Sequence, residues 1–272
     1  MIEFLRGILS YEFMQRVLVA GPLISLCAAL LGVTLVLKRY SMIGDGLSHV
    51  GFSALSIAAV LGIAPVYVAL PAVMLAAFVL LRMNDKGILK GDSAIAIFST
   101  TALAAGVIIT SVGSKSTADL GGYMFGSILA VSEIDVLLSV AVCVCVTGVF
   151  VLFYNRIFSV TFDSAFSEAS GVNCGMYDML VSVLTAMVIV MGMRLMGTLL
   201  ISGLIVFPAL TAMRVCKSFL SVTVCAGIVS VGCFLIGIFV SYVSSIPAGA
   251  SVVAVNSAAF LLFSVIGSFT KR

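Results

Sequence analysis

The sequence predicts an all-α polytopic transmembrane helical bundle of about eight or nine spans, on three observations. Of its 272 residues 62% are hydrophobic and only 9% are charged, and the mean hydropathy is +1.31. Uncharged runs recur along the whole chain at close to the roughly 20 apolar residues that a helix needs to cross a bilayer core. The 14 basic and 11 acidic residues lie mostly between those runs. No tandem repeat, low-complexity tract or soluble segment divides them, so residues 1–272 read as a single membrane domain.

Four spans follow directly, because Val17–Leu37, Ser93–Ser114, Val136–Asn155 and Leu195–Met213 contain no Asp, Glu, Lys or Arg. Two uncharged runs are too long for one crossing and must fold in half. Gly46–Leu81 contains Pro65 and Pro71, and Ser218–Thr270 contains Pro247 and Gly249 within Ser244–Ser251; Pro and Gly clusters mark the expected turns. Met176–Met193 adds a shorter span, for nine crossings in all. Pro208 is expected to kink its helix. At the amino terminus Glu3, Glu12 and Arg16 interrupt the apolar stretch, which does not read as a cleavable signal peptide; Met1 is expected to begin the mature protein.

Orientation follows from the basic residues, which are retained on the cytoplasmic side. Nine crossings put Lys38, Arg39, Arg82, Lys86, Lys90, Arg156, Arg214, Lys217, Lys271 and Arg272 on one face, ten of the 14. Arg6, Arg16, Lys115 and Arg194 fall on the other. The carboxyl terminus is therefore expected in the cytoplasm and the amino terminus outside. This bias accounts for the formal charge of +3, and no basic patch interleaved with aromatics supports nucleic-acid binding.

The single histidine stands four places after an aspartate in Gly44-Asp45-Gly46-Leu47-Ser48-His49. Residues at i and i+4 share a helix face, and an ionisable pair beside a membrane run is costly enough to mark a functional site. Asp45 and His49 are therefore the candidate metal ligands. Gly44 and Gly46 are expected to break the helix there, since irregular backbone is tolerated at depth where it lines a cavity. One carboxylate and one imidazole are too few for tetrahedral zinc; two copies about a two-fold axis would supply four ligands. A homodimer is the implied assembly. Oxygen and imidazole ligands suit Zn(II) or Mn(II) and disfavour Cu(I).

Other chemistry fares worse. Ser48 and His49 point about 100° apart on a helix and make no nucleophile–base pair. Asp45 and Asp178 lack the context of a facing carboxylate dyad. The seven cysteines show no Cys-x-x-Cys spacing and read as reduced, small apolar residues. Met187, Met191, Met193 and Met196 suit helix packing.

The longest hydrophilic interruption, Arg156–Tyr177, has a different character. Asp163 or Ser164 is placed to cap a short helix through Ala169, and Gly171 to end it. An amphipathic helix here would present Phe162 and Phe166, at i and i+4, to a partner, with Asp163, Glu168 and Gly171 beside them. Such a helix would couple a soluble subunit to the membrane helices. No Gly-x-x-x-x-Gly-Lys-[Ser/Thr] phosphate loop occurs, so nucleotide chemistry belongs to another subunit and the chain is not itself an enzyme.

Four stretches carry a family resemblance: Tyr40-Ser41-Met42-Ile43-Gly44-Asp45-Gly46-Leu47-Ser48-His49-Val50; Gly91-Asp92-Ser93-Ala94-Ile95; Met193–Leu200 running on to Phe207-Pro208-Ala209; and Ile246-Pro247-Ala248-Gly249-Ala250-Ser251-Val252-Val253. On them the chain resembles the membrane permease subunit of the ATP-binding-cassette importers for zinc and manganese. The resemblance implies a multi-pass protein of the bacterial inner membrane that imports divalent metal through a homodimer. Its partners would be cytoplasmic ATPase subunits, which use the ATP, and an extracytoplasmic metal-binding protein that delivers the ion. It places Asp45 and His49 on the metal path and the Phe162–Gly171 loop on the ATPase, with fewer charges in that loop than the family often carries. A secondary transporter driven by protons or sodium would also place Asp and His in mid-membrane; it is the alternative, distinguished by uptake that survives ATP depletion.

Overall fold

The computed structural model describes residues 11–85, 92–113 and 131–270. Within them the chain forms eleven α-helices and no strand: α1 (Glu12–Leu37), α2 (Ile43–Leu61), α3 (Pro65–Asp85), α4 (Asp92–Gly113), α5 (Glu133–Leu152), α6 (Tyr154–Phe162), α7 (Ser164–Ala169), α8 (Cys174–Met196), α9 (Thr198–Val215), α10 (Phe219–Ser244) and α11 (Ala248–Thr270). Eight of these are long and apolar enough to cross a membrane, and α3 adds the shorter apolar stretch Val66–Leu80. Each uncharged run in the sequence thus coincides with a helix. In hydrocarbon this is required, because only intrahelical bonding satisfies every backbone group without water.

The turns fall largely where the composition places them. Gly62, in the left-handed region at φ 66, ends α2, and Pro65 opens α3, the first helical position where its missing N–H costs nothing. Pro71 makes no turn; it lies inside α3. Ser245 closes α10 in a left-handed conformation just before Pro247. The expected break at Gly44 and Gly46 is absent, because α2 runs helically from Ile43 through both. A Cβ on Gly44 would lie 2.9 Å from Ile205 Cδ1, and one on Gly46 2.7 Å from Ile95 Cγ2. These glycines serve close approach to α9 and α4 and keep the backbone bonds intact.

α1 and α8 lie deepest, whereas α4 and α11 are peripheral. Lipid tails are as apolar as leucine, so helices associate through small residues and interhelical hydrogen bonds. A Cβ on Gly32 of α1 would lie 2.0 Å from the Ile205 carbonyl oxygen of α9. Ser230 of α10 donates to the Ser25 carbonyl of α1 at 2.9 Å, and Ser251 of α11 to the Gly237 carbonyl of α10 at 2.7 Å.

Charge pairs mark the two ends of the bundle. Arg16, near the start of α1, pairs with Glu133 at the start of α5 at 3.0 Å, and Arg194, near the end of α8, with Asp135 at 2.7 Å. At the opposite end Lys38, just past α1, pairs with Asp178 of α8. Asp135 also completes a capping box with Ser132, so one buried carboxylate starts α5 and holds it to α8.

Packing at Gly32 gives a direct test. A Gly32→Val substitution must force α1 off the α9 backbone, where no flexible side chain can yield. Overpacking of this kind commonly costs about 1–3 kcal/mol, so the purified variant should unfold at lower temperature in detergent. Gly148→Ala, where a Cβ meets nothing within 4 Å, should leave the transition unchanged.

Candidate metal site and partner-docking face

The turn leading into α2 is bonded to both of its helices. The Tyr40 N–H donates to the Leu35 carbonyl at 2.8 Å, and the Ile43 N–H to the Tyr40 carbonyl at 3.0 Å. Asp45 therefore stands in the first turn of α2 and His49 one turn further on. His49 Nε2 lies 3.6 Å from Asp45 Oδ1, with side chains 17% and 43% exposed respectively. His49 Nδ1 is buried and has no protein partner, in a bundle where buried polar atoms are normally paired. Ser48 is occupied elsewhere, its hydroxyl donating to the Asp45 carbonyl at 2.8 Å.

The pair thus joins a half-open carboxylate to an enclosed imidazole on one helix face. Hard and borderline divalent cations suit that donor set. Among the described residues no group of three or more His, Cys, Asp or Glu side chains could hold a metal, so the described part of one chain brings together only this pair. The methionines behave as packing residues. Met191, Met193 and Met196 are buried, with Met193 lying over Gly51 and the Met196 methyl beside Gly21. The seven cysteines are all free thiols.

The candidate docking segment is a helical hairpin. Asp163 caps α7 by accepting from the Phe166 N–H at 2.8 Å, and Gly171 ends the segment at φ 80. Phe162 and Phe166 do not share a helix as their spacing suggests. Asp163 takes an extended conformation (φ −146, ψ 94) to act as cap, which ends α6 at Phe162 and starts α7 after it. Both rings nevertheless face outward, 59% and 65% exposed, and Glu168 is exposed beside them. Ser159 and Ser167 share a hydrogen bond of 2.6 Å that ties α6 to α7.

Sequence reasoning missed α6 and its aromatic platform. Phe158 lies 4.9 Å from Phe162 and 5.3 Å from Phe219 between ring centroids, while Ile157 and Val160 turn inward. Apolar residues at 153, 157 and 160 carried the helical period that marks this element. The Arg194–Asp135 and Lys38–Asp178 pairs had no signal in spacing, since each joins residues distant in the chain.

The comparisons with known proteins agree with this architecture. The chain is 30% identical over 260 residues to the manganese import system permease protein ScaB of Streptococcus gordonii, covering 96% of this chain and 93% of that protein. It is 27% identical over 259 residues to the manganese transport system membrane protein MntC of Listeria monocytogenes, covering 95% and 92%. Its fold matches a chain in the solved structure of PsaBC from Streptococcus pneumoniae in complex with Fab, with a TM-score of 0.86, 29% identity and coverage of 97% of this chain and 95% of that one. The model of the ABC 3 transport family spans residues 10–267, and this multi-pass membrane protein belongs to that family.

Proposed function

We propose that the chain is the membrane permease subunit of an ATP-driven importer of divalent transition metal, with manganese(II) favoured over zinc(II). The observation that carries the reading is the Asp45–His49 pair with its buried, unpartnered Nδ1, in a chain whose relatives include a manganese import system permease protein and a manganese transport system membrane protein by name. Zn(II) would suit the same atoms, so the preference for manganese rests on those relatives. In this reading two copies form the transporter, cytoplasmic ATPase subunits dock on α6 and α7, and an extracytoplasmic protein delivers the ion. Two Asp45 and two His49 side chains then enclose one path. The permease carries out no covalent step; its residues replace part of the ion's hydration shell and release it when the dimer changes state.

The ligands are tested first. In a host lacking its own manganese uptake, His49→Ala and Asp45→Ala should each lower metal uptake about tenfold or more, since even residues that only support a ligand commonly cost 10- to 100-fold. Assembly with the ATPase should persist. Wild-type uptake by a properly inserted His49→Ala protein removes the pair from the path, and uptake that survives ATP depletion points instead to a secondary transporter.

Docking on α6 and α7 predicts that replacing Phe162 and Phe166 together by Ala weakens copurification of the ATPase, because truncating a central interface aromatic costs about 2 kcal/mol or more. Unchanged association and uptake would make this hairpin an ordinary surface turn.

Orientation is the third test. The arrangement with the amino terminus outside rests on the bias of basic residues, ten of the 14 falling on the opposite face. In a cysteine-free background, Glu133→Cys should react with a membrane-impermeant maleimide in intact spheroplasts. Lys217→Cys should react only after permeabilisation. The reverse pattern would invert the topology.

A further inference from the structure

Coupling requires a mechanical link between the α6–α7 hairpin and the metal-binding end of α2, and one short connection joins them. Asp178 lies in the first turns of α8, just after the turn that leaves α7. That turn is held by the Gly171 N–H to the Glu168 carbonyl and the Val172 N–H to the Ser167 carbonyl, both at 2.9 Å, and by Asn173, which caps α8 through the Met176 N–H at 3.2 Å. Asp178 is paired with Lys38, the residue that caps α1. Both side chains are mostly enclosed, 16% exposed for Lys38 and 28% for Asp178. The pair sits in a small cleft that Tyr40, Val160, Thr161 and Ser182 also line, so α6 closes over it from one side.

Beyond Lys38 the chain has no slack. Arg39 takes a left-handed conformation at φ 63, uncommon for a residue with a side chain. Its N–H donates to the Val36 carbonyl at 3.1 Å, and the Tyr40 N–H reaches back to Leu35 at 2.8 Å. This doubly bonded helix ending is the Schellman arrangement. With Ile43 bonded to Tyr40 at 3.0 Å, residues 39–42 form a rigid corner between Lys38 and the turn that carries Asp45. An enclosed ion pair is screened less than a surface one, and it holds its two elements in register where apolar contacts would let them slide.

We infer that the Lys38–Asp178 ion pair is a positioning contact that transmits movement of the α6–α7 hairpin to the metal-liganding end of α2. The inference rests on the transport function proposed above. Neither residue touches the metal; the pair acts through the corner at Arg39. Breaking it leaves docking and ATP hydrolysis in place and separates them from metal movement.

The test uses the complete transporter, this chain with its ATPase subunit and binding protein, in proteoliposomes with radioactive manganese(II) as probe. Uptake and ATP hydrolysis are measured in the same vesicles for Asp178→Asn, Lys38→Met and the charge exchange Lys38→Glu with Asp178→Lys. The metal moved per ATP should fall roughly fivefold or more in each single variant, the lower bound for loss of an energetic coupling, and return toward wild type in the exchange. A merely structural role would lower assembly and both activities together, leaving the ratio unchanged, and that result overturns the inference. If the single variants do not assemble, Lys38→Cys with Asp178→Cys in a cysteine-free background decides. Bridging the two thiols with a short bifunctional reagent should raise the metal-to-ATP ratio of the same preparation, and no change on bridging refutes the link. A wild-type complex that hydrolyses ATP without moving manganese would overturn the transport function and this inference together.

Discussion

Each polar group left unpaired in hydrocarbon costs several kcal/mol, and the rest of the structure depends on that constraint. Buried hydroxyls within the helices turn back on their own backbone. Thr34, Ser56, Thr110, Ser139, Thr185 and Thr223 each donate to a carbonyl one turn earlier at 2.7–3.0 Å. Ser230 and Ser251 instead reach a neighbouring helix and so become the glue between α10 and its partners. The less exposed charges at the two ends of the bundle are paired, Arg16 with Glu133, Arg194 with Asp135 and Lys38 with Asp178. Among the described residues four buried side-chain atoms lack a hydrogen-bond partner, His49 Nδ1, Asp135 Oδ1, Thr211 Oγ1 and Asn256 Oδ1; Asp135 Oδ1 has the Arg194 guanidinium at 2.7 Å, and His49 Nδ1 belongs to a candidate metal ligand.

Close packing follows from the same constraint. With no hydrophobic drive between helices in lipid, contact area must come from close approach of the helices, which Gly32 allows against the Ile205 backbone and Gly44 and Gly46 allow against the Ile205 and Ile95 side chains. This explains why Gly44 and Gly46 flank Asp45 without disturbing the helix. They allow α2 to sit tightly between α4 and α9, and that tightness fixes the direction in which the carboxylate points. A break at this position would have left Asp45 and His49 free to lose register with each other. A continuous helix keeps them one turn apart.

Most of the fold was legible in the sequence, because hydropathy reports the physical quantity that decides whether a helix spans. The runs at Val17–Leu37 and Val136–Asn155 needed no tertiary information, and cap chemistry alone marked Asp163 or Ser164 as the start of a short helix and Gly171 as its stop, with Asp163 taking the cap. The misread positions are those where tertiary contact overrides a local signal. Pro71 reads as a turn, but neighbouring helices in a membrane bundle tolerate proline within a span. Gly44 and Gly46 read as breakers, but approach to Ile205 and Ile95 makes them packing residues. Phe162 and Phe166 read as one stripe, but Asp163 spends its backbone on a cap. The candidate ligands were legible because the chain has a single histidine. The Lys38–Asp178 contact was not, because residues 140 positions apart carry no mutual signal in one sequence.

The geometry of the candidate site bears on why a permease would divide its ligands between two chains. A complete tetrahedral or octahedral cage within one bundle would bind its ion tightly and release it slowly, and transport fails if the ion cannot leave. Half a site per chain has no such trap. With two copies, affinity is highest while the halves face each other and collapses when they part, so the movement that opens the path also weakens binding. Asp45 is 43% exposed beside an imidazole only 17% exposed, which suits this division. In the proposed transporter the carboxylate would meet the incoming hydrated ion first, and the enclosed imidazole would bind once some of that water had been shed. On the proposed reading, ligand number, and not the strength of any one ligand, would be the quantity that ATP-driven movement controls, and the corner at Arg39 would be what lets a distant hairpin control it.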